Sequence, residues 1–431
     1  MRSDVHSIEE PARRTPVTHE ADVLVVGGGS AGVSAAVAAA REGADVLLVE
    51  RYGSLGGLAT GGLIVLLLTL DDGRGRQVVA GLCQELTERM ARRGAAHFPP
   101  REQWGSADAA QIEQARRWGL VWGHAPHVVR YSVAYDPEAM RQVCCEMLRE
   151  SGARVLFHAW ACEPLLEGDR VAAVAFQGKS GRFAVRARVV VDATGDGDLF
   201  AAAGCAHEKE EVLPWLWFLV GGVDDAEAAQ AAGAGGFLTI GSGRLLLPWG
   251  ATPKQARRID ATSPEDLSYA ELACRERVME EFERMRREIP GAAGAHLCRI
   301  AEQIGITESR RLLGRKLLRR DDVDTSFPDG VALTGHWTKY GATYQIPYGA
   351  LLPRELSNLL VAGRCISVDH RVHHATKEIP CCMATGEAAG AAAALATSAG
   401  VAPAELDVAA LRRKLLERGA ILDLQAGAGQ R

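Results

Sequence analysis

The sequence predicts an α/β fold, and three observations carry that expectation. Ala21–Val26 (ADVLVV) and Ala44–Val49 are continuous apolar runs of strand length, the pattern of strands buried on both faces. Between them lie a glycine-rich turn, Gly27-Gly28-Gly29-Ser30-Ala31-Gly32, and a small-residue helix over Val33–Gly43. Two further apolar runs, Arg188–Val191 and Asn358–Ala362, enter glycine turns far downstream. A sheet assembled from such distant segments makes its domain discontinuous.

The first fifty residues read as strand, GxGxxG, helix, strand, acid. Gly27 suits the tight turn, Gly29 lets a pyrophosphate approach the backbone, and Gly32 lets the helix lie close to the sheet. The helix N-terminus presents free N–H groups and a positive dipole end to phosphate. Glu50 ends the second strand, eighteen residues after Gly32, where a carboxylate accepts from ribose hydroxyls. This is a Rossmann-like dinucleotide unit. Its candidate cofactor-binding residues are Gly27, Gly29, Ser30, Ala31, Gly32, Glu50 and Arg51. A second glycine-rich loop, Gly53 to Gly62, follows at once and suggests an extended cofactor lying along the chain.

Composition narrows the function classes. The 431 residues carry 49 basic and 54 acidic side chains, with 47% hydrophobic and 24% charged residues. That is a globular chain of two or three domains. It has no basic excess for nucleic acid and too much apolar content for disorder. The apolar stretches Leu63–Leu68 and Val212–Val223 are too short to span a membrane. Met1–Glu20 lacks the apolar core of a signal peptide and reads as a loose leader on a cytoplasmic protein. The ten Cys contain no CxxC pair, which disfavours zinc and disulfide-reductase chemistry; no metal is expected. No second GxGxxG follows a strand, so a dedicated NAD(P)H domain is not expected.

Further segments complete the pattern: YDPEAM (135–140), RVVVDATGDGD (188–198), ESRRLLG (308–314), YQIPYGALLP (344–353), NLLVAGRCIS (358–367) and CMATGEAAG (382–390). With the N-terminal unit they run in order across residues 20 to 400. The chain thereby resembles the FAD-dependent oxidoreductases of the glutathione-reductase-like class, relatives of succinate dehydrogenase flavoproteins and thiazole-biosynthesis proteins. The resemblance implies FAD, bound non-covalently, with a covalent flavin–histidine bond as the alternative. It implies that Gly56 and Gly57 pass near the flavin and that Ala161 flanks the adenine. It implies that Ala193, Thr194 and Gly195 close over the dinucleotide, and that Gly363 and Arg364 sit by the ribityl-phosphate chain. Gly386 is expected to start a helix whose N-terminus faces the flavin, a placement that favours negative charge on the reduced ring.

The expected architecture is a discontinuous Rossmann-like FAD-binding domain with a β-meander, plus an α+β substrate or cap region. A leader covers 1–19. The FAD-binding domain takes 20–57, 128–205 and 341–400, the cap region 58–127 and 206–340, and a C-terminal helix 401–431. Asp136 and Pro137 start a helix running to about Glu150, and Ser263, Pro264 and Asp266 start another to Arg287. Runs at 161–166, 170–176 and 182–185 form the meander. Leu213–Leu219 and Arg244–Leu247 read as strands.

The candidate chemistry gathers between GRCIS and Gly386. His370, His373 and His374 are three histidines in five residues, with Lys377 nearby, and imidazole is the ready acid–base near neutral pH. On a helix the three would share a face; the bland alternative is an exposed loop. Lys377 stands where the family usually has Arg, which puts binding of a substrate carboxylate in doubt. Arg310 could face the active site or sit on a solvated helix. Tyr344 could orient or protonate a substrate or simply pack, and Tyr348 likewise. Cys381-Cys382 reads as inert packing. The expected function is a dehydrogenase or oxidase of a small organic molecule, with hydride transfer to flavin N5 and histidine-assisted proton removal. The alternatives are an isomerase, dehydratase or cyclase without net redox, or an electron-relay subunit. A homodimer or an electron-accepting partner is compatible with either; nucleic-acid and membrane partners are not expected.

Overall fold

The computed structural model describes residues 8–248 and 257–423. Its main sheet contains β1 (Val17–Val26), β2 (Val46–Val49), β3 (Arg154–Leu156), β4 (Trp160–Glu167), β5 (Arg170–Gly178), β6 (Gly181–Asp192) and β7 (Leu359–Val361). The parallel part runs in the order β3-β2-β1-β6-β7. The apolar runs form these strands because both faces are covered: Val23, Leu24 and Val25 are fully buried. Val26 pairs with Val49 on one side and Asp192 on the other. The strand order reverses at β1, so the crevice beyond the ends of β1 and β6 is the topological switch point where such sheets bind ligands.

β6 is one twelve-residue strand, although the sequence pattern splits it into 182–185 and 188–191. Its first half closes the antiparallel meander with β5, which pairs in turn with β4. Its second half belongs to the parallel sheet. Val17 pairs with Ala184, so the last residues of the expected leader are part of β1.

The helices that matter are α1 (Ser30–Arg41), α2 (Gly81–Ala91), α3 (Pro137–Ser151), α4 (Pro264–Glu288), α5 (His370–Thr376), α6 (Ile379–Ala399) and α7 (Val408–Glu417). α6 lies against α1 at very close range. A Cβ added to Gly386 or Gly390 would collide with the carbonyls of Ala31 or Ala35. These glycines are contact points between two small-residue helices. Gly386 therefore does not open the helix, as the sequence suggested; α6 begins seven residues earlier, at Ile379. Continuous from there, α6 is long and apolar enough to cross a membrane, a stretch the sequence reading divided at Gly386; most of it is buried inside the protein.

The segment expected to form the cap carries a four-stranded antiparallel sheet, Phe237–Leu238, Leu245–Leu247, Phe218–Gly221 and His296–Ile300 in that order. The expected strand at Leu213–Leu219 shortens to Phe218–Gly221, with Trp215 only bridged to Gly305. α4 starts at the expected cap, where the Asp266 N–H donates to Ser263 Oγ. Ala270, Cys274, Val278, Phe282 and Met285 form its buried stripe. Gly330–Gly335 and Thr343–Pro347 pair with each other across the expected 340/341 boundary.

Candidate active site

The glycine turn after β1 is built by backbone. Gly27 has φ +102°, and a Cβ there would strike the Ala193 carbonyl. A Cβ on Gly32 would strike the Gly27 carbonyl. α1 therefore sits directly on its own turn, and only glycine fits. Gly29 is the N-cap of α1 with no side chain capping it, and the space beside its Cα is open. Ser30 and Ala31 form the first turn behind it. The Gly56 N–H donates to Gly28 O at 2.8 Å, and a Cβ on Gly57 would lie 3.1 Å from Gly29 Cα. The two glycine-rich loops thus meet at the N-terminal end of α1. Beyond them, Gly61 O accepts from the Glu302 N–H at 2.8 Å, joining this loop to the cap.

Glu50 is buried at the end of β2. Its carboxylate accepts from Gly28 N–H at 2.5 Å and Tyr52 N–H at 2.8 Å. The Arg51 guanidinium lies 5.0 Å from the Tyr52 ring and 4.9 Å from the exposed Trp160 ring. Ala161 follows Trp160 in β4, which is tied to this corner because the Ala159 N–H donates to Glu50 O.

On the other side of the crevice, the turn after β6 is held by charge. Asp192 is fully buried, and burial pushes its carboxyl up to about 6. It accepts from Thr194 Oγ1 and from the N–H groups of Thr194, Leu199 and Phe200. Ala193 N–H donates to Val26 O, and Gly195 turns with φ +84°. Arg364 donates through Nε to Gly195 O at 2.8 Å, through Nη1 to Ile306 O at 2.5 Å, and pairs with Asp196. Arg310 donates to Asp196 O at 3.1 Å and Asp198 Oδ1 at 3.0 Å. Both arginines are claimed by the carboxylates and carbonyls of the GDGD turn. Arg364 clasps the turn, and Arg310 braces it from a strand, Arg310–Leu312, not from the solvated helix that was one of its two expected settings. Gly363, with φ +89°, passes between Ala31 and Thr385 at the exit of β7.

The histidines are on a helix, but their environments separate them. Asp369 caps α5, accepting from the Val372 N–H. His370 and His374 are exposed, their rings 5.4 Å apart. His373 is 1% exposed; the face the three share runs from solvent at His370 and His374 to the interior at His373. Glu308, buried, holds the group together. One carboxylate oxygen accepts from Arg311 Nε at 2.5 Å; the other lies 2.9 Å from His370 Nδ1 and 3.5 Å from His373 Nδ1. Burial holds His373 well below the ordinary imidazole range, helped by Lys377, Arg311 and Arg364. Burial, then Lys377 and His370, holds His374 below it too. Lys377 caps the C-terminus of α5 and is followed by Glu378, the N-cap residue of α6, whose side chain makes no capping bond. Sequence reasoning missed Glu308; the signal was present in ESRRLLG, where only the arginines drew attention.

Tyr344 is in the hairpin. Its hydroxyl donates to Arg320 O at 3.2 Å, its ring stacks on His336 at 5.3 Å, and burial pushes it up to about 12. Tyr348 is likewise committed, donating to Pro403 O. Cys381 and Cys382 are buried thiols, and burial pushes Cys382 up to about 12.

Comparison with known proteins decides the family. A model of the family described as FAD dependent oxidoreductase matches residues 22–234 and 230–415. The chain belongs to that family. It is an enzyme, and its cofactor is FAD. Digeranylgeranylglycerophospholipid reductases 2 and 1 of Methanopyrus kandleri are 31% and 32% identical over 183 and 181 residues. Each match covers 41% of this oxidoreductase and only 38% and 40% of the relative, so the chain spans about two fifths of their length. Two solved structures share the fold. One is a geranylgeranyl bacteriochlorophyll reductase-like protein of Thermoplasma acidophilum (TM-score 0.51, 15% identity, covering 94% of this chain and 84% of that one). The other is p-nitrophenol 4-monooxygenase of Pseudomonas putida (TM-score 0.50, 15% identity, covering 95% and 88%).

Proposed function

We propose that this flavoenzyme is a dehydrogenase or oxidase of a small organic molecule, with His374 as the proton acceptor. FAD supplies the redox chemistry: when bound, its ring takes up the hydride. The residues fit that cofactor along one line. Glu50 and Arg51, with the β4 backbone at Ala161, hold the adenosine end. Gly27, Gly29, Ser30, Ala31 and Gly32 receive the pyrophosphate against Gly56 and Gly57. Ala193, Thr194 and Gly195 cover the dinucleotide, with Arg364 fixing their turn, and Gly363 leads the chain past it. The uncapped start of α6 offers backbone N–H groups to anionic character at the reactive end.

The observation that carries the catalytic part is the division among the histidines beside α6. His374 faces solvent and is held neutral at neutral pH by partial burial and by Lys377 and His370. A neutral, accessible imidazole accepts a proton. His373 is also neutral but enclosed, and Glu308 holds His370 by its Nδ1. The test is anaerobic: mix the FAD-loaded protein with a panel of alcohols, amines and hydroxy acids and follow the flavin absorbance. Bleaching with stoichiometric product supports the proposal. Product formation with an oxidised flavin throughout, followed by stopped flow, replaces it with the non-redox alternative.

The partial likeness to two prenyl-lipid reductases favours one second reading, with electrons running the other way. In that reading a dithionite-reduced enzyme is reoxidised anaerobically by an unsaturated prenyl lipid, whereas a saturated one leaves it reduced.

A further inference from the structure

The cap sheet ends on the strand His296–Ile300, which has no second neighbour among the described residues. His296 and Cys298 are two residues apart, so their side chains leave the same face. Both are exposed. Cys298 Sγ lies 3.6 Å from His296 Nε2, within hydrogen-bonding reach of sulfur. Beneath the pair, the neighbouring strand ends at Gly221, and a second glycine, Gly222, follows it. A Cβ on Gly221 would come within 2.5 Å of Cys298 Sγ and 3.2 Å of His296 Nε2, and one on Gly222 within 2.8 Å of His296 Nδ1. The thiol and imidazole lie together only because the backbone beneath them is bare.

Other cysteines of the chain are placed differently. Cys83, Cys144, Cys205, Cys274, Cys365, Cys381 and Cys382 are buried. Cys145 is exposed, but partial burial and Glu146 push its thiol up. Cys162 is half-buried and directed at Trp160 O. A thiol becomes reactive when it is accessible and has a group beside it that favours its thiolate. Cys298 meets both conditions by geometry. Its strand also contacts α3, where Arg299 pairs with Glu138, and just beyond it the Glu302 N–H donates to Gly61 O in the second glycine-rich loop.

We infer that the His296–Cys298 pair is a site of reversible S-thiolation by a low-molecular-weight disulfide. His296 Nε2 takes the thiol proton. The Cys298 thiolate attacks one sulfur of the disulfide, a new S–S bond forms, and the old one breaks. The displaced thiolate leaves with the electron pair and takes up a proton. The incoming disulfide is the only oxidant required, and the same exchange with excess thiol restores Cys298.

The test uses the FAD-loaded protein and glutathione disulfide at pH 7, with acid quenching and mass-spectrometric mapping of the mixed disulfides. Cys298 is expected to react first, about tenfold faster than Cys145 or Cys162. His296→Gln should slow Cys298 by about tenfold and move the rise of its rate to higher pH, leaving Cys145 and Cys162 unchanged. His296 is exposed, so flavin content and melting temperature should stay at wild-type values. Equal rates at Cys298, Cys145 and Cys162 would overturn the inference, as would a Cys298 rate indifferent to His296→Gln.

Discussion

The turn at Gly27–Gly32 and the helix at His370–Thr376 are similar in length, and each bears on function, but they are built on opposite principles. The first is a site made of backbone. Its residues are specified by the absence of side chains, since Gly27 and Gly32 each face a carbonyl that leaves no room for a Cβ. The second is made of side chains whose properties are set largely by partners more than sixty residues away in sequence, Glu308 for His370 and His373 and Arg311 for His373, with Arg364 and Lys377 adding charge from nearer in the chain. Identical residues on one short helix thereby become an exposed histidine held against Glu308, an enclosed neutral one and an accessible neutral one.

Substitutions at the backbone site should have the largest effect. Gly32→Val forces a branched side chain into the Gly27 carbonyl, where no rotamer relieves the clash. We expect a loss of about 4 kcal/mol or more in stability and no retained FAD, measured by denaturant melts and by flavin absorbance of the purified protein. Full flavin content in this variant would erase the contrast between the two regions.

The clasp between them comes next. Arg364→Met leaves Asp196 without its guanidinium partner and frees the Gly195 carbonyl. The expected cost is about 3 kcal/mol, with weaker FAD binding measured by titrating the apoprotein. Unchanged flavin affinity would show that the turn holds its shape without the clasp.

A smaller effect concerns the flank of α6 away from the histidines. Glu387 is 4% exposed, and burial pushes it up to about 7 even though it accepts from the Leu82 N–H. Its folded value lies above an unfolded value of about 4.3, so the native state binds this proton more tightly. Its contribution to stability therefore falls as pH rises from about 4.3 to about 7 and stays low above that. Glu387→Gln keeps an acceptor for Leu82 without the charge. Urea melts at pH 5 and pH 8 should show a flatter pH dependence and a gain of about 2 kcal/mol at pH 8. Identical pH slopes for the two proteins would contradict this account of Glu387.

The same contrast explains what was legible in the sequence. β1, α1, β2, the meander and α4 were readable because apolar runs, GxGxxG spacing and the Ser263 cap each depend on neighbours in the chain. Gly386 was misread because a helix-interior glycine and a helix-opening glycine look alike until the partner helix α1 is in view. The attachment of Arg310 and Arg364 to the Asp196–Asp198 turn was not legible, because it is a long-range contact with no local signature. Glu308 went unnoticed for the same reason. Tyr344 is committed to the Arg320 carbonyl across the hairpin, which the YQIPY motif alone does not reveal.

The most direct test of the proposed chemistry is the anaerobic reductive half-reaction of His374→Gln, using a substrate identified by the flavin-bleaching screen. The variant should retain wild-type FAD stoichiometry and visible spectrum while its flavin bleaches about 100-fold more slowly. In the wild type, the bleaching rate should fall as pH drops below the ordinary imidazole range, because a protonated His374 accepts nothing, and this acidic limb should vanish in the variant. Bleaching at the wild-type rate, with the acidic limb intact, would contradict the assignment of His374 as the base.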